Sequence, residues 1–534
     1  MKKISKDKVF FIFSCLAIAF FTAALVPKTF QNDTFFNISI GKYILNNGID
    51  MQEHFSWIPN LTYTYSHWAF DIIIYLLYNC WNFTGIYVFT IIFSAIIAVT
   101  LFILLSKAYK TPVSAFLVTV VSVFVVKDAF TARSQIISFL CFIIEIYCLE
   151  QFIETNKKRY PLILVALSIV IANFHAATWP LILVLFLPYL AGGFFNLISC
   201  KNIYTFLANF KEKQLQKLDI NSSEATKCKE DIEYYKKLAK DKILSDKSKL
   251  QLRNDYNFKN LIIVFIIISL TGLITPIHGV PYTYIIKSMT GTSNFENAVS
   301  IDYISEMQPI IPIGSLAFFV FLSLIIFTLA FMPTKIKVEH GFLILGLLIM
   351  TLYSRRYVYL LVLLGAFPIC ELISQCVNKD TEKQIENSIL SFILCICSII
   401  FLFVSIFNKQ EDPYVDETKY PTKVVDYIKE NIDYKNMRIY NSYDNGSYLM
   451  LNDIPVFIDS RLDVYCSEFN DTDVFKDYIY VTAGKANYEN IFSKYDFTHI
   501  LLYKKEIANQ YITNDTNYKL LYEDEYFSFY QKLN

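Results

Sequence analysis

Residues 32–68 read NDTFFNISIGKYILNNGIDMQEHFSWIPNLTYTYSHW. They separate an apolar run at residues 9–25 from another that starts at Trp68, and they are polar enough to leave a bilayer yet rich in Phe, Tyr and Trp. Asp33, Asp50, Glu53, His54 and His67 all fall in this one stretch. In a chain that crosses a membrane, it reads as the first outer loop, roofing a site at the bilayer edge. Its side of the membrane then decides what the protein can do.

The composition supports that setting. Of 534 residues, 54% are hydrophobic, 17% aromatic and only 18% charged, and the mean hydropathy is +0.38. Such a chain is a polytopic α-helical membrane protein rather than a soluble domain. A net charge of zero carries little, because orientation follows how Lys and Arg are shared among the loops. The eleven cysteines form no paired CxxC motifs, so neither a zinc site nor a disulfide framework is expected. No GxGxxG or Walker A loop points to a nucleotide. Nucleic acid is excluded as a partner because the one basic segment is also acidic and lacks interleaved aromatics.

Lys2, Lys3, Lys6 and Lys8 precede the first span, which is read as a retained anchor with the N-terminus in the cytoplasm. The run at 68–81 is too short for a crossing, which needs about 20 residues. It is expected to lie on the outer surface as an amphipathic helix, making 28–84 the outer loop. Further spans are read at 86–105, 112–126, 134–151, 161–172, 179–198, 261–274, 313–331, 341–352, 357–373 and 389–407. The total is about 11 transmembrane helices. This parity keeps Lys107, Lys110, Lys157, Lys158, Arg159, Lys335 and Lys337 inside, together with a lysine-rich helical insertion at 200–260. Residues 1–407 are thus expected as the transmembrane domain and 408–534 as a small extracytoplasmic α/β domain. In the latter, helices are expected near 422–430 and 473–480, and strands at 437–440, 455–458, THILLY, LLYED and YFSFYQK.

On that topology, ionisable groups at the outer ends of spans gather on one side: Asp33, Glu53, His54, His67, Asp71, Arg133, His175, His278, Glu306, Arg355 and Arg356. Charges at this depth are costly and mark function or pairing. Asp33 follows the first span almost at once and suits a base for an acceptor hydroxyl or a ligand for a divalent cation. It also suits the N-cap of a helix beginning at Thr34. Arg133 in FTARSQ, with Arg355 and Arg356 in LYSRRYVYLL, matches bidentate phosphate recognition, and equally a side chain snorkelling to lipid headgroups. His175 in IANFHAATW reads as a general acid/base, a hydrogen-bond donor or a packing residue. Glu306 in ISEMQP reads as a loop carboxylate, with Glu53 and His54 as further residues that could line the site. Trp57, Trp68 and Trp179 read as interfacial anchors or sugar platforms. Asp459, Arg461 and Asp463 in IDSRLD read as a salt-bridged turn or an acceptor contact.

The order DTFFNISIGKYILNNG with HFSWIPN and SHWAFDIIIYLLY, ARSQIISFL, ANFHAATW, TPIHGVPYTY with SEMQP, SRRYVYLL, and NSYDNGSYL with VFIDSRLDVY resembles the GT-C superfamily of integral-membrane glycosyltransferases. The likeness is to the bacterial branch related to protein O-mannosyltransferases and lipid A aminoarabinose transferases, and it spans most of the chain outside the insertion. It implies a multi-pass enzyme of the plasma membrane serving the cell envelope, which moves a sugar from a polyprenyl phosphate donor to an unidentified extracytoplasmic acceptor. The implied step is an inverting displacement, with or without a divalent cation such as Mg2+ or Mn2+. Asp33 would be base or metal ligand, and Arg133, His175, Arg355 and Arg356 would surround the donor phosphate. Better-studied relatives carry adjacent acids in this loop, whereas here Thr34 follows Asp33; Glu53 is the candidate partner acid.

Two other classes compete. A lipid or polysaccharide flippase predicts inverted repeats and Gly/Pro-broken spans, whereas this chain shows no repeat and only 14 glycines. A non-enzymatic envelope assembly protein with the same fold would tolerate loss of Asp33 and Arg133.

Overall fold

Long apolar runs become helices in a bilayer because the backbone can satisfy its N–H and C=O groups only within the segment. The computed structural model describes residues 6–197, 200–216, 223–240, 249–253, 256–293, 306–310, 316–472, 474–484 and 487–533. Among these, six helices are long and apolar enough to cross a membrane: Lys8–Leu25, Trp68–Tyr109, Gln135–Thr155, Ala176–Leu197, Arg355–Cys376 and Leu390–Asn408. Shorter apolar helices occupy Pro112–Val125, Arg159–Phe174, Phe258–Thr271, Phe321–Phe331 and Val338–Tyr353. The protein is a polytopic helical membrane protein.

The first seven helices are α1 (Lys6–Leu25), α2 (Asn32–Asn47), α3 (Trp68–Tyr109), α4 (Pro112–Val125), α5 (Gln135–Thr155), α6 (Arg159–Phe174) and α7 (Pro180–Leu197). Alpha-helix α1 packs along Leu390–Asn408, and α3 packs against α2, α4 and α5. Their shared core includes Ile18, Phe102, Phe142, Phe186 and Phe367. Ile92, Phe327 and Phe403 point outward and exposed, as a lipid-facing surface requires.

The helix expected at 68–81 does end where the sequence placed its boundary, and it forms the first part of α3. Between Trp68 and Tyr109, two helices meet at a sharp bend where Trp81 and Asn82 leave helical geometry, Asn82 at φ 50°. Ahead of the bend, α3 lies against α2, close enough that a Cβ on Gly41 would fall 2.1 Å from the Asp71 carbonyl oxygen.

The insertion holds two helices, Cys200–Leu215 and Ser223–Lys240, which pack on each other. Strand β1 (Leu250–Gln251) then pairs in parallel with β2 (Ile336–Lys337). Beside that pairing, Arg253 binds Glu150 at 2.6 Å and Glu339, while His340 bridges Glu150 at 2.7 Å and Glu371 at 2.6 Å. Glu150 lies roughly 20 Å along α5 from Gln135, so this network closes the opposite end of the bundle from Arg133.

The tail carries a four-stranded sheet in the order β3 (Ile439–Tyr440), β4 (His499–Tyr503), β6 (Phe527–Lys532), β5 (Tyr518–Glu523). β3 and β4 are parallel, and β6 is antiparallel to both its neighbours. Residues 455–458, expected as a strand, do not join it. Val456 N donates to Phe55 O at 3.0 Å and Trp57 N donates to Val456 O at 3.1 Å, so this segment pairs with the outer loop. The loop in turn enters the tail's core: Phe36, Ile40, Leu61, Tyr63 and Tyr65 pack with Ile439, Val456, Phe457 and Leu501.

Candidate active site

Asp33 occupies the first turn of α2, where the helix dipole favours an acid. It does not cap: Gln31 holds the N-cap position without a side-chain bond. The Asp33 carboxylate instead lies 2.5 Å from Nε of Arg133, which stands in the turn just before α5. Thr34 Oγ1 donates to Ala132 O at 3.4 Å, tying the two elements together.

Arg133 reaches further, its Nη1 donating to Glu306 Oε1 at 3.3 Å. The Glu306 segment is fastened to the Arg pair: Ser354 Oγ donates to Glu306 O at 2.9 Å, and the Arg356 amide to the same oxygen at 3.2 Å. Arg355 turns its guanidinium to Gln308 Oε1 at 2.9 Å. Arg356 is exposed, and no carboxylate among the described residues lies within ion-pair distance of it. The two arginines therefore differ: Arg355 fastens the loop, and Arg356 faces the cleft.

His175 ends α6, with Nδ1 2.9 Å from Ser138 Oγ on α5. Burial pushes its pKa well below the usual histidine value, and the positive charges of His67, Arg356 and Arg133 push it the same way. It is a neutral imidazole at neutral pH. His67 behaves oppositely: burial opposes its charge, but Asp71, at 3.0 Å, with Asp463 and Asp33 outweighs that and raises its pKa. Tyr443, from the tail, is half-buried near Asp33, and its partial burial together with that carboxylate raises its phenol pKa well above the usual value.

A cleft of about 210 Å³ is lined by Gln31, Asp128, Arg133, His175, Glu306 and Arg356, with Tyr357 and Leu360 on its apolar side, while Arg355, His67 and Tyr443 lie outside its lining. Of the sequence candidates, Arg133, His175, Glu306 and Arg356 line it, and Asp33 meets it through Arg133. Glu53 and His54 do not. Glu53 is buried against Arg461 of the tail, and His54 lies 2.7 Å from Asp50 and stacks on Tyr43. Arg461 also binds Asp459 at 2.6 Å, so IDSRLD forms a salt-bridged turn. Trp57 donates to Ile439 O at 3.0 Å and Trp179 to Ser168 Oγ at 2.8 Å, both as packing residues. Sequence reading overlooked Gln31, Asp128, Ser138 and Tyr443. Asp128 alone carried a signal, as a charge between two spans five residues before Arg133.

The donor set suits a divalent cation poorly. No three His, Cys, Asp or Glu side chains among the described residues converge as metal ligands. Where Asp33 and Glu306 approach each other, the group between them is the Arg133 guanidinium.

No protein-family model matches the sequence, and no curated protein matches it. Solved structures do. The archaeal oligosaccharyltransferase AglB from Archaeoglobus fulgidus, in complex with an inhibitory peptide and a dolichol-phosphate, aligns over 92% of this chain and 69% of its own, at TM-score 0.56 and 10% identity. The chain has the GT-C fold. The apo form of the A. fulgidus enzyme gives TM-score 0.56 over 93% of this chain and 69% of its own, again at 10% identity. The form tethered to an acceptor peptide with the NVT sequon gives 0.53, with the same coverage and identity. At that identity the likeness is one of fold.

Proposed function

We propose that this GT-C protein is a membrane glycosyltransferase that moves a sugar from a polyprenyl phosphate donor to an acceptor outside the cytoplasm. The observation that carries the reading is one cleft in which a carboxylate, two guanidiniums and a neutral imidazole meet at the end of an apolar helix bundle. A lipid phosphate rests at that depth with its chain among the helices. The GT-C fold, shared with an enzyme solved with dolichol-phosphate and a peptide, supports the same reading.

In the reaction, an acceptor oxygen attacks the anomeric carbon as the carbon–oxygen bond to phosphate breaks, and the electron pair leaves with the phosphate. Asp33 takes the acceptor proton. Arg356 and Arg133 offset the charge that builds on phosphate, where a partly dry site makes fixed cations most effective. His175, being neutral, serves as a hydrogen-bonding group for sugar or phosphate and not as a fixed cation. Arg355 is a positioning residue that holds the Glu306 segment. The distribution of Lys among the loops supports a cytoplasmic N-terminus, with the cleft, outer loop and tail outside.

The test is a panel of short-chain polyprenyl phosphate sugars offered to the purified protein. The expected result is that one sugar lipid binds and turns over, Arg356→Ala weakens binding, and Asp33→Asn binds without turnover. Indifference of every donor to both substitutions would end the transferase reading.

A further inference from the structure

Asp33 and Glu306 meet at the cleft, and both are already held by the same cation. Arg133 Nε is 2.5 Å from Asp33 Oδ2 and its Nη1 is 3.3 Å from Glu306 Oε1. An Mg2+ or Mn2+ shared by these acids would need their oxygens at about 2.1 Å. It would take the lone pairs that Arg133 occupies and press a dication against a guanidinium. We infer that Arg133 and Arg356 together supply the positive charge for a lipid phosphate here, so that donor binding and transfer proceed without a divalent cation. The inference rests on the transferase reading above.

The charges in the cleft fit this assignment. The Arg133 guanidinium faces Asp33 and Glu306, while Arg356 lines the same cleft with no carboxylate paired to it among the described residues. Glu306 is the looser partner, with its side chain 54% exposed against 22% for Asp33. A donor phosphodiester, carrying one negative charge, displaces Glu306 from Arg133 into water and bridges Arg133 and Arg356. When the sugar–oxygen bond breaks, the departing phosphate gains a second charge, and both guanidiniums already face it. The acceptor proton passes to Asp33, whose hold on Arg133 slackens as the phosphate draws the guanidinium. No ion enters or leaves in that sequence.

The experiment is a binding titration of the full-length detergent-solubilised protein with a short-chain polyprenyl phosphate, run in EDTA and then with added Mn2+, with turnover of the sugar lipid in parallel. The expected affinity is the same in both conditions. Arg133→Gln, which keeps a hydrogen bond to Asp33 without the charge, and Arg356→Gln should each weaken binding by about 10- to 100-fold, the range for losing a charge-assisted hydrogen bond. Binding or turnover that disappears in EDTA and returns with Mn2+ overturns the inference while sparing the transferase reading. Absence of binding in both conditions overturns the two together.

Discussion

Nη1 of Arg461 lies 2.5 Å from Oε2 of Glu53, and the two side chains are each 1% exposed. They are 408 residues apart in the chain, so this buried pair fastens the tail to the outer loop that roofs the cleft. Arg461 also binds Asp459 and lies 4.9 Å over the Tyr63 ring. Deleting one member of a buried pair strands the other charge and costs about 3–5 kcal/mol. Arg461→Ala is expected to lower the melting temperature markedly and to open the loop to protease. Glu53→Gln, retaining shape and acceptor, should cost less and leave polyprenyl phosphate affinity unchanged. A large affinity loss in Glu53→Gln would place Glu53 in the site after all.

Gly41 is where α2 and α3 touch backbone to side. A Cβ there would lie 2.1 Å from the Asp71 carbonyl oxygen and 2.7 Å from Tyr75 Cβ, and neither atom can swing away. Gly41→Ala is expected to destabilise by at least the ~1–3 kcal/mol of ordinary overpacking. Gly48→Ala tests the contrast, because Gly48 has open space around it and only a φ of +85°; its cost should be near ~1 kcal/mol. Thermal melts of the two variants rank them.

Glu506 sets a pH dependence in the tail. One carboxylate oxygen accepts from Ser442 Oγ and the other has no hydrogen-bond partner among the described residues. Burial pushes its pKa up to about 7. Because the folded value is above the unfolded one, the contribution to stability is complete below the unfolded pKa and is lost as pH rises through 7. Melting temperature should therefore fall between about pH 5 and about pH 8 in the parent. Glu506→Gln should flatten that limb and melt higher than the parent at the alkaline end. An unchanged slope in the variant would assign the dependence to another group.

His175 should leave no mark on the pH profile near neutrality. Its imidazole is neutral because of burial and the nearby positive charges, so no charge change falls in the range where histidine ordinarily titrates. His175→Gln is expected to lower turnover by about 10- to 100-fold through loss of a hydrogen-bonding group, with the shape of the profile unaltered. Disappearance of an existing limb in the variant would show that His175 does titrate during the reaction.

The apolar runs by themselves placed the helices, because a span must be long enough to cross hydrocarbon and has few alternatives to helix. The positions of Arg133, His175, Glu306 and Arg356 at span ends were also legible, since a charge at the bilayer edge stands out against apolar neighbours. What they touch was not. Arg133 between Asp33 and Glu306, Arg355 turned to Gln308, and Glu53 locked to Arg461 depend on which loops meet. The same holds for residues 455–458, which are strand-like in sequence but pair with the outer loop at Ser56 rather than with the sheet. Hydrophobic periodicity reports the local solvent of each segment, and the partner of a polar group is chosen by chain positions hundreds of residues away. Sequence alone therefore determined a helical membrane protein with charges gathered at one end. Only the tertiary structure decided that the outer loop and the tail share one core, and that one guanidinium holds both Asp33 and Glu306 at the cleft.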